Sequence, residues 1–445
     1  MKISHNTIPL SRWLIAGAVG LASMSVYGAV VTSGGASAAT GPVTISYLMQ
    51  GSPSEIALYK NYAAHFHTLN PGITVQIRNV PFANLLSTIR TQASSSSGPT
   101  MSDIYDLWLG QLVQGGIAAK APQSVVKDVK AHWSAAYNTS VTNQGALRGY
   151  PNEVDLYALI YNKALFAKAR ISAPPKTWAQ LTTDAKKLTF GAGTQGFGVI
   201  TNWDSGVVHP WLSLVNSDGG TLLTKSGKAN LNSGAALAAT NLYRTLVNEG
   251  ATVPSMSTSN AETTGPFLNN FTSGKTAMII LSNPFESDIK AAMGSSFSNV
   301  ATAPVPVGPR GTKSSSVSYG WMSIVNAHAS SAQRAAAWKF LTWLDDPASG
   351  TGGKTAMGTI LMSLGILPSR TSDIAAFKSQ LSSPFIKTYV QQLPDATPFP
   401  NVVPGAQLTA AIQQQIEAVI FGQATPAAAM AAAQSQAASI LQSGN

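Results

Sequence analysis

Two copies of GKTAM, at 274–278 and 353–357, are the segments of this chain that come nearest to phosphate chemistry. The second lies in PASGTGGKT, where 348–355 nearly spells a phosphate-binding loop, except that Ala348 stands in place of the first glycine. Such a loop works because a strand delivers glycines to a helix N-terminus, where free N–H groups point at phosphate. PASGTGGKT instead follows the helical run AAAWKFLTWL and a stop at Asp345, Asp346 and Pro347. The first copy has Asn269 at the glycine position and runs from helix into strand, the reverse order. GAGTQG at 191–196 has GxGxxG spacing but also leaves a helix instead of opening one. All three read as turn glycines, and no cofactor is expected.

Other reactive constellations are missing. The chain has no cysteine, which removes disulfides, thiolate metal sites, thiol catalysis and a lipidated N-terminal Cys. No HExxH or GxSxG occurs, and His65 and His67, two apart on a helical stretch, diverge. Scattered Asp and Glu pairs carry no local signature and read as solvated or capping groups before they read as a glycosidase pair. No metal site is expected.

Charged residues make up 10% of the chain, against about 25% in an ordinary soluble domain. Lys and Arg exceed Asp and Glu by 10, but the excess comes from scarce carboxylates. The cations are dispersed, where a phosphate backbone needs them clustered, so nucleic acid is not an expected partner. Sparse carboxylates also suit acidic surroundings. At the N-terminus, Lys2 and Arg12 precede an apolar run over 13–31, and Ala36-Ser37-Ala38 has the small-x-small cleavage pattern. Residues 1–39 therefore read as a signal peptide, the rival being an uncleaved anchor just long enough to span a bilayer. The protein is expected to be exported, periplasmic or at the cell surface, free or tethered through that segment.

The remaining 400-odd residues must supply the scaffold. TISYLM is a β-rich run, and 55–69 has helical spacing with Ile56, Tyr59, Ala63 and Phe66 on one side. A turn at Pro71-Gly72 leads to a strand alternating Ile73, Val75 and Ile77; a helix over 85–92 and a strand over 103–107 follow. This order argues for parallel βαβ construction and an α/β class. Later helices are expected at 163–168, at 178–188 capped by Thr177, at 234–248 and at 333–344. The tail over 407–441 reads as one or two helices broken near Pro426, with Ile412, Ile416, Val419, Ile420 and Phe421 inward. ATAPVPVGPRG is an extended connector of the kind that crosses between domains.

Four segments in order resemble the family-1 extracellular solute-binding proteins of ABC importers, the group that includes maltose-binding protein. GYPNEVDLYALIYNKALFAKARISAPPKTWAQLTTDAKKLT is similar to that family's crossover strand, YNK and P-x-TW helix start. FLNNFTSGKTAMIILSNPF resembles its F-x-x-GK-x-AM segment, GWMSIVNAHASSAQRAAAWKFLTWL the approach to its late helix, and ILPSR its late Pro-Arg motif. The resemblance covers 43–441, and the second GKTAM has no counterpart in it.

The resemblance implies a two-lobe periplasmic-binding-protein fold of type II, each lobe a mixed sheet flanked by helices, closing on a ligand by hinge motion. On that reading 40–150 and 304–367 form one lobe, 151–303 and 368–445 the other. Crossovers fall at 147–154, 301–308 and 365–370. The ligand implied is a carbohydrate, a di- or oligosaccharide, handed to a membrane permease by a monomeric, non-catalytic protein. The alternatives are another solute in the same fold (a polyol, glycerol phosphate or peptide), a secreted glycan-active enzyme, or an adhesion module.

Sugar recognition sets aromatic faces against ring C–H groups and places carboxylates, amides and arginines on hydroxyls. The candidates are Gln50 after the first strand; Tyr105, Asp106 and Trp108 at the end of the third; and Asp155 after the first crossover. Trp203 and Trp211 belong to the second-lobe aromatic segment. Phe285 stands where the family often has a stacking Trp, Tyr319 and Trp321 flank Gly320, and Arg370 either orients a cleft carboxylate or pins the hinge. Glu153 is read as a hinge ion-pair partner, and Trp178, Trp338 and Trp343 as core.

Overall fold

The computed structural model describes residues 41–260 and 265–443; the expected signal segment at 1–39 lies outside them. The first half lays down β1 (Val43–Met49), α1 (Pro53–Leu69), β2 (Ile73–Asn79), α2 (Phe82–Gln92) and β3 (Met101–Tyr105). Then come β4 (Gly149–Pro151), β5 (Glu153–Asn162), α3 (Trp178–Lys187), β6 (Gln195–Gly198), α4 (Asp204–Ser217) and α5 (Gly234–Asn248). The second half adds β7 (Thr276–Ser282), α6 (Glu286–Met293), β8 (Val300–Ala303), β9 (Val317–Tyr319), β10 (Trp321–Val325) and α7 (Ser331–Leu344). It ends with α8 (Ala356–Leu364), β11 (Leu367–Pro368), β12 (Thr397–Pro398), α9 (Gly405–Ile420) and α10 (Pro426–Ser443).

Two mixed sheets organise these elements. One has the order β2-β1-β3-β10-β4, the other β12-β9-β5-β7-β6, with β8 and β11 also paired to β5. β1 runs parallel to β2 and β3, as the strand–helix–strand order requires, while β10 closes antiparallel on β3. Helix α1 starts where Ser52 Oγ accepts the Glu55 amide with Pro53 in the first turn, and it buries Ile56, Tyr59, Ala63 and Phe66. A reciprocal capping box between Ser330 and Gln333 opens α7. Phe340 of α7 meets Phe66 at 5.1 Å and Tyr47 at 6.4 Å, covering the first sheet.

The chain passes from the first sheet to the second at Asn152, between β4 and β5, and back at Gly320, between β9 and β10. The stretch 301–308 does not cross: β8 and β9 both still pair with β5. Proline makes a segment extended by fixing φ and removing a donor, which does not determine where the segment goes. The third connection runs through β11, whose Leu367 and Pro368 pair with Val154 and Glu153.

The tail helices α9 and α10 pack on each other and on α4 and α5. Ile412, Ile416, Val419 and Ile420 are buried as expected, but Phe421 is 46% exposed. It follows the last turn of α9 and has left the buried face. Both GKTAM copies are turns. Gly274 takes φ 75° between a helix and β7; Gly352 and Gly353, at 63° and 78°, turn the chain toward α8. The Thr355 amide that a phosphate would take is donated to Asp373 Oδ1 at 2.8 Å. Among the described residues no helix is long and apolar enough to cross a membrane.

Candidate functional site

Strand alternation builds the site. On β5, Glu153, Asp155 and Tyr157 share one face, and on β3 Asp103 and Tyr105 do the same. Both faces border a cavity of about 550 Å³, within the roughly 300–1,000 Å³ usual for small-molecule clefts. Its remaining walls come from Gln50, the N-terminal turn of α1, the entry to α2, Trp203, Phe285, α6 and the Tyr319–Trp321 corner. The cleft is thus assembled from both sheets.

Two aromatic surfaces face it. In one, the Trp321 ring lies 5.9 Å from Phe82 and 6.0 Å from Tyr105, braced behind by Trp108 at 6.0 Å. In the other, Trp203 meets Phe285 edge-on at 6.1 Å. Tyr319 extends the first surface, 5.6 Å from Tyr105 and 5.7 Å from Tyr157, and its hydroxyl donates to Ser282 Oγ at 2.9 Å. His209 of α4 sits under this corner, fully buried, and burial lowers its pKa to about 3, so it is neutral.

Carboxylates occupy the floor and rim. Asp103 accepts from Asn152 Nδ2 at 2.7 Å, and Asp155 accepts from Asn283 Nδ2 at 2.8 Å. Asn283 Oδ1 in turn takes the Leu156 amide at 2.8 Å, which locks Asp155 in place. Burial pushes Asp103 well above the usual carboxylate range, and the neighbouring Glu55 adds to it. Burial also raises Glu153, with the charge of Asp155 adding to it, and raises Asp155 to about 7 against the opposing hydrogen bond from Asn283. The two carboxyls lie in one buried corner, so their ionisations are linked. Glu55 is pushed by burial to about 7.

Comparison with known proteins places this arrangement. The family model for bacterial extracellular solute-binding protein matches residues 51–350. The chain belongs to that family. A Brucella abortus protein named only as a binding protein is 28% identical over 84% of this chain and 88% of its own length. The GacH receptor of Streptomyces glaucescens, solved unliganded and with acarbose, superposes with a TM-score of 0.76 at 23% identity, over 90% of this chain and 99% of that one. Maltose-bound MalE3 of T. maritima gives 0.75 at 22% identity, over 89% and 100%. The fold of this solute-binding protein is the two-lobe α/β architecture of these relatives.

Seven of the residues picked from sequence line the cleft of the solute-binding protein: Gln50, Tyr105, Asp155, Trp203, Phe285, Tyr319 and Trp321. Four do not. Trp211 is fully buried inside the second lobe, its indole N–H donating to Thr240 Oγ1 at 3.0 Å. A tryptophan on an all-round buried helix has the same local sequence as one on a rim. Trp108 stands behind Trp321, and Asp106 faces an adjoining recess, its Oδ2 accepting the Gly320 amide at 3.0 Å. Arg370 lies elsewhere, with its guanidinium 4.9 Å over the Trp133 ring and 3.7 Å from Asp128. It fastens the third connection to the first lobe.

Phe82, Asp103, Glu55 and Asp288 also line the cleft and were not anticipated. So does Glu153, which has no ion-pair partner among the described residues. The alternation in EVDLY was a signal for Glu153, since period two puts it beside Asp155. Trp178 and Trp338 are core residues as expected, and Trp343 is partly buried against Phe66.

Proposed function

We propose that this solute-binding protein captures a carbohydrate, a di- or oligosaccharide, in the cleft and delivers it to the permease of an ABC importer as a monomer. The observation that carries the reading is the pairing of two aromatic surfaces, one from each side, with hydrogen-bond acceptors between them. Trp321 and Phe82 would take one ring face, Trp203 and Phe285 another. Asp155, Glu153 and Gln50 would take hydroxyls. A wrong sugar leaves these groups unpaired, at about 1–3 kcal/mol each, which is how such a site discriminates. Glycerol phosphate fits poorly, because no Lys or Arg lines the cavity while carboxylates do. GacH and MalE3, solved with acarbose and maltose, support the carbohydrate reading by likeness.

Closure would turn on Asn152, Gly320 and the β11 connection, driven by contacts that only the closed state makes. Intrinsic tryptophan fluorescence and thermal shift against mono-, di- and oligosaccharides test the proposal. A saturable change with a raised Tm for one sugar class supports it. A response only to peptides or polyols removes the sugar assignment. Turnover of chromogenic glycosides would replace binding with catalysis.

A further inference from the structure

The chain contains 18 acidic residues. Five of them, Glu55, Asp103, Glu153, Asp155 and Asp288, line one cavity that takes no lysine or arginine from the described residues. They come from both sides of the cleft: Glu55 on α1 and Asp103 on β3 from the first lobe, Asp288 on α6 from the second, and Glu153 and Asp155 from β5 where the lobes join. The other titratable groups facing them are the phenols of Tyr105, Tyr157 and Tyr319. Neutral His209 lies behind Tyr105 and Tyr157. Among the described residues no cationic side chain lines the cavity to offset this charge.

One atom shows where a ligand belongs. Asp155 is 1% exposed, borders the cavity, and has one oxygen satisfied by Asn283; its Oδ2 has no donor from any side chain or amide. Only a proton on the adjacent Glu153 would serve it. A buried carboxylate lacking a donor costs free energy that a ligand donor recovers. A sugar hydroxyl supplies a hydrogen bond but leaves the charge; an ammonium supplies both a donor and the compensating charge. A metal ion is the other way to neutralise carboxylates, and among the described residues no group of His, Asp and Glu has metal-ligating geometry.

We infer that the cleft selects saccharides that carry a basic amine, with the ammonium seated between Glu153 and Asp155. The inference rests on the carbohydrate reading above and narrows it. Binding displaces a proton shared by the Glu153–Asp155 pair: the carboxyl O–H bond breaks, the proton leaves to solvent, and both carboxylates accept from N–H groups of the ligand. The same cation reduces the repulsion between Asp103 and Glu55 on one side and Asp288 on the other, so it favours the closed form over the open one.

The test is calorimetric titration of the protein with sugar pairs that differ only at the amine. The pairs are glucosamine with glucose, and the β-1,4 glucosamine dimer with its di-N-acetyl form and with cellobiose. Near neutral pH the amine form is expected to bind at least about tenfold tighter than its neutral partner, the factor one charged hydrogen bond supplies. Protons should be released on binding, seen as a dependence of the heat on buffer ionisation enthalpy. The preference should shrink near pH 5, where the carboxyls are protonated, and in Asp155→Asn. Asp288→Asn, at an exposed position, should lower the preference without threatening the fold. Equal or tighter binding of the neutral sugars overturns this inference and leaves the carbohydrate reading standing. Failure of every saccharide to bind removes both.

Discussion

Asp106 and Gly320 clasp each other in both directions: the Asp106 amide donates to the Gly320 carbonyl at 3.0 Å, and the Gly320 amide donates to Asp106 Oδ2 at 3.0 Å. Gly320 is where the chain leaves the second sheet for the first, with Tyr319 on one side and Trp321 on the other, so this clasp aims both cleft aromatics. Only glycine fits there, because a Cβ would stand 2.3 Å from the Glu153 carbonyl oxygen.

Gly320→Ala should therefore cost about 1–3 kcal/mol of stability, the usual price of overpacking, and it should weaken ligand binding by displacing Glu153 and Trp321 together. Denaturant unfolding and titration of the variant measure the two effects. A variant as stable and as tight as the parent would show that the corner tolerates movement.

Trp211 and Trp321 should separate stability from binding. Trp211→Ala empties a fully buried site and removes the indole donor from Thr240 Oγ1, for a loss of about 3–5 kcal/mol. Its affinity should be unchanged at temperatures where it stays folded. Trp321→Ala should do the reverse, lowering affinity about tenfold or more with a smaller change in Tm. The measurements are thermal unfolding and titration on both variants, and the same loss of affinity in both would contradict the placement of Trp211.

Arg370→Ala tests the other relocated residue. It should leave affinity unaltered and lower Tm, since the guanidinium packs over Trp133 and beside Asp128, away from the cleft.

The pH dependence of stability should run against the common acid-denaturation pattern. Burial raises Glu55 to about 7 and Asp106 to about 8 in the folded protein. A carboxyl whose folded pKa is raised binds more protons folded than unfolded, so stability falls as pH rises. Its contribution is complete below about pH 4 and is lost as pH climbs through about 7 to 8. Tm of the ligand-free protein should decline across that window, and Asp106→Asn should flatten the decline. A Tm that rises steadily from pH 4 to 8 would show that other groups dominate.

The sequence made parts of this molecule legible for identifiable reasons. Helix α1 showed its apolar face in the 3.6 spacing of Ile56, Tyr59, Ala63 and Phe66, and α3 showed its start in the N-cap Thr177. Asp155 was found because it follows the first crossover, whereas Tyr319 and Trp321 were found through the family resemblance alone, since the crossover expected at 301–308 lies instead at Gly320 between them. What stayed hidden depended on assembly. The five cleft carboxylates come from four separate elements, each bland alone, and only folding gathers them. Phe82 follows Pro81 in a segment whose sequence gives no hint of the cleft. Trp211 misled for the opposite reason, since its neighbourhood resembles a binding segment but every residue around it on α4 is buried.

The central claim is a trap that closes on a sugar, and the absence of cysteine lets it be tested on a clean background. Lys60→Cys on α1 and Lys290→Cys on α6 place spin labels at exposed positions on opposite lobes. The distance between them should be measured by pulsed electron spin resonance before and after saturation with the tightest saccharide of the panel. The account predicts one distance distribution that shifts to a shorter value on saturation. An unchanged distance at full occupancy would contradict it.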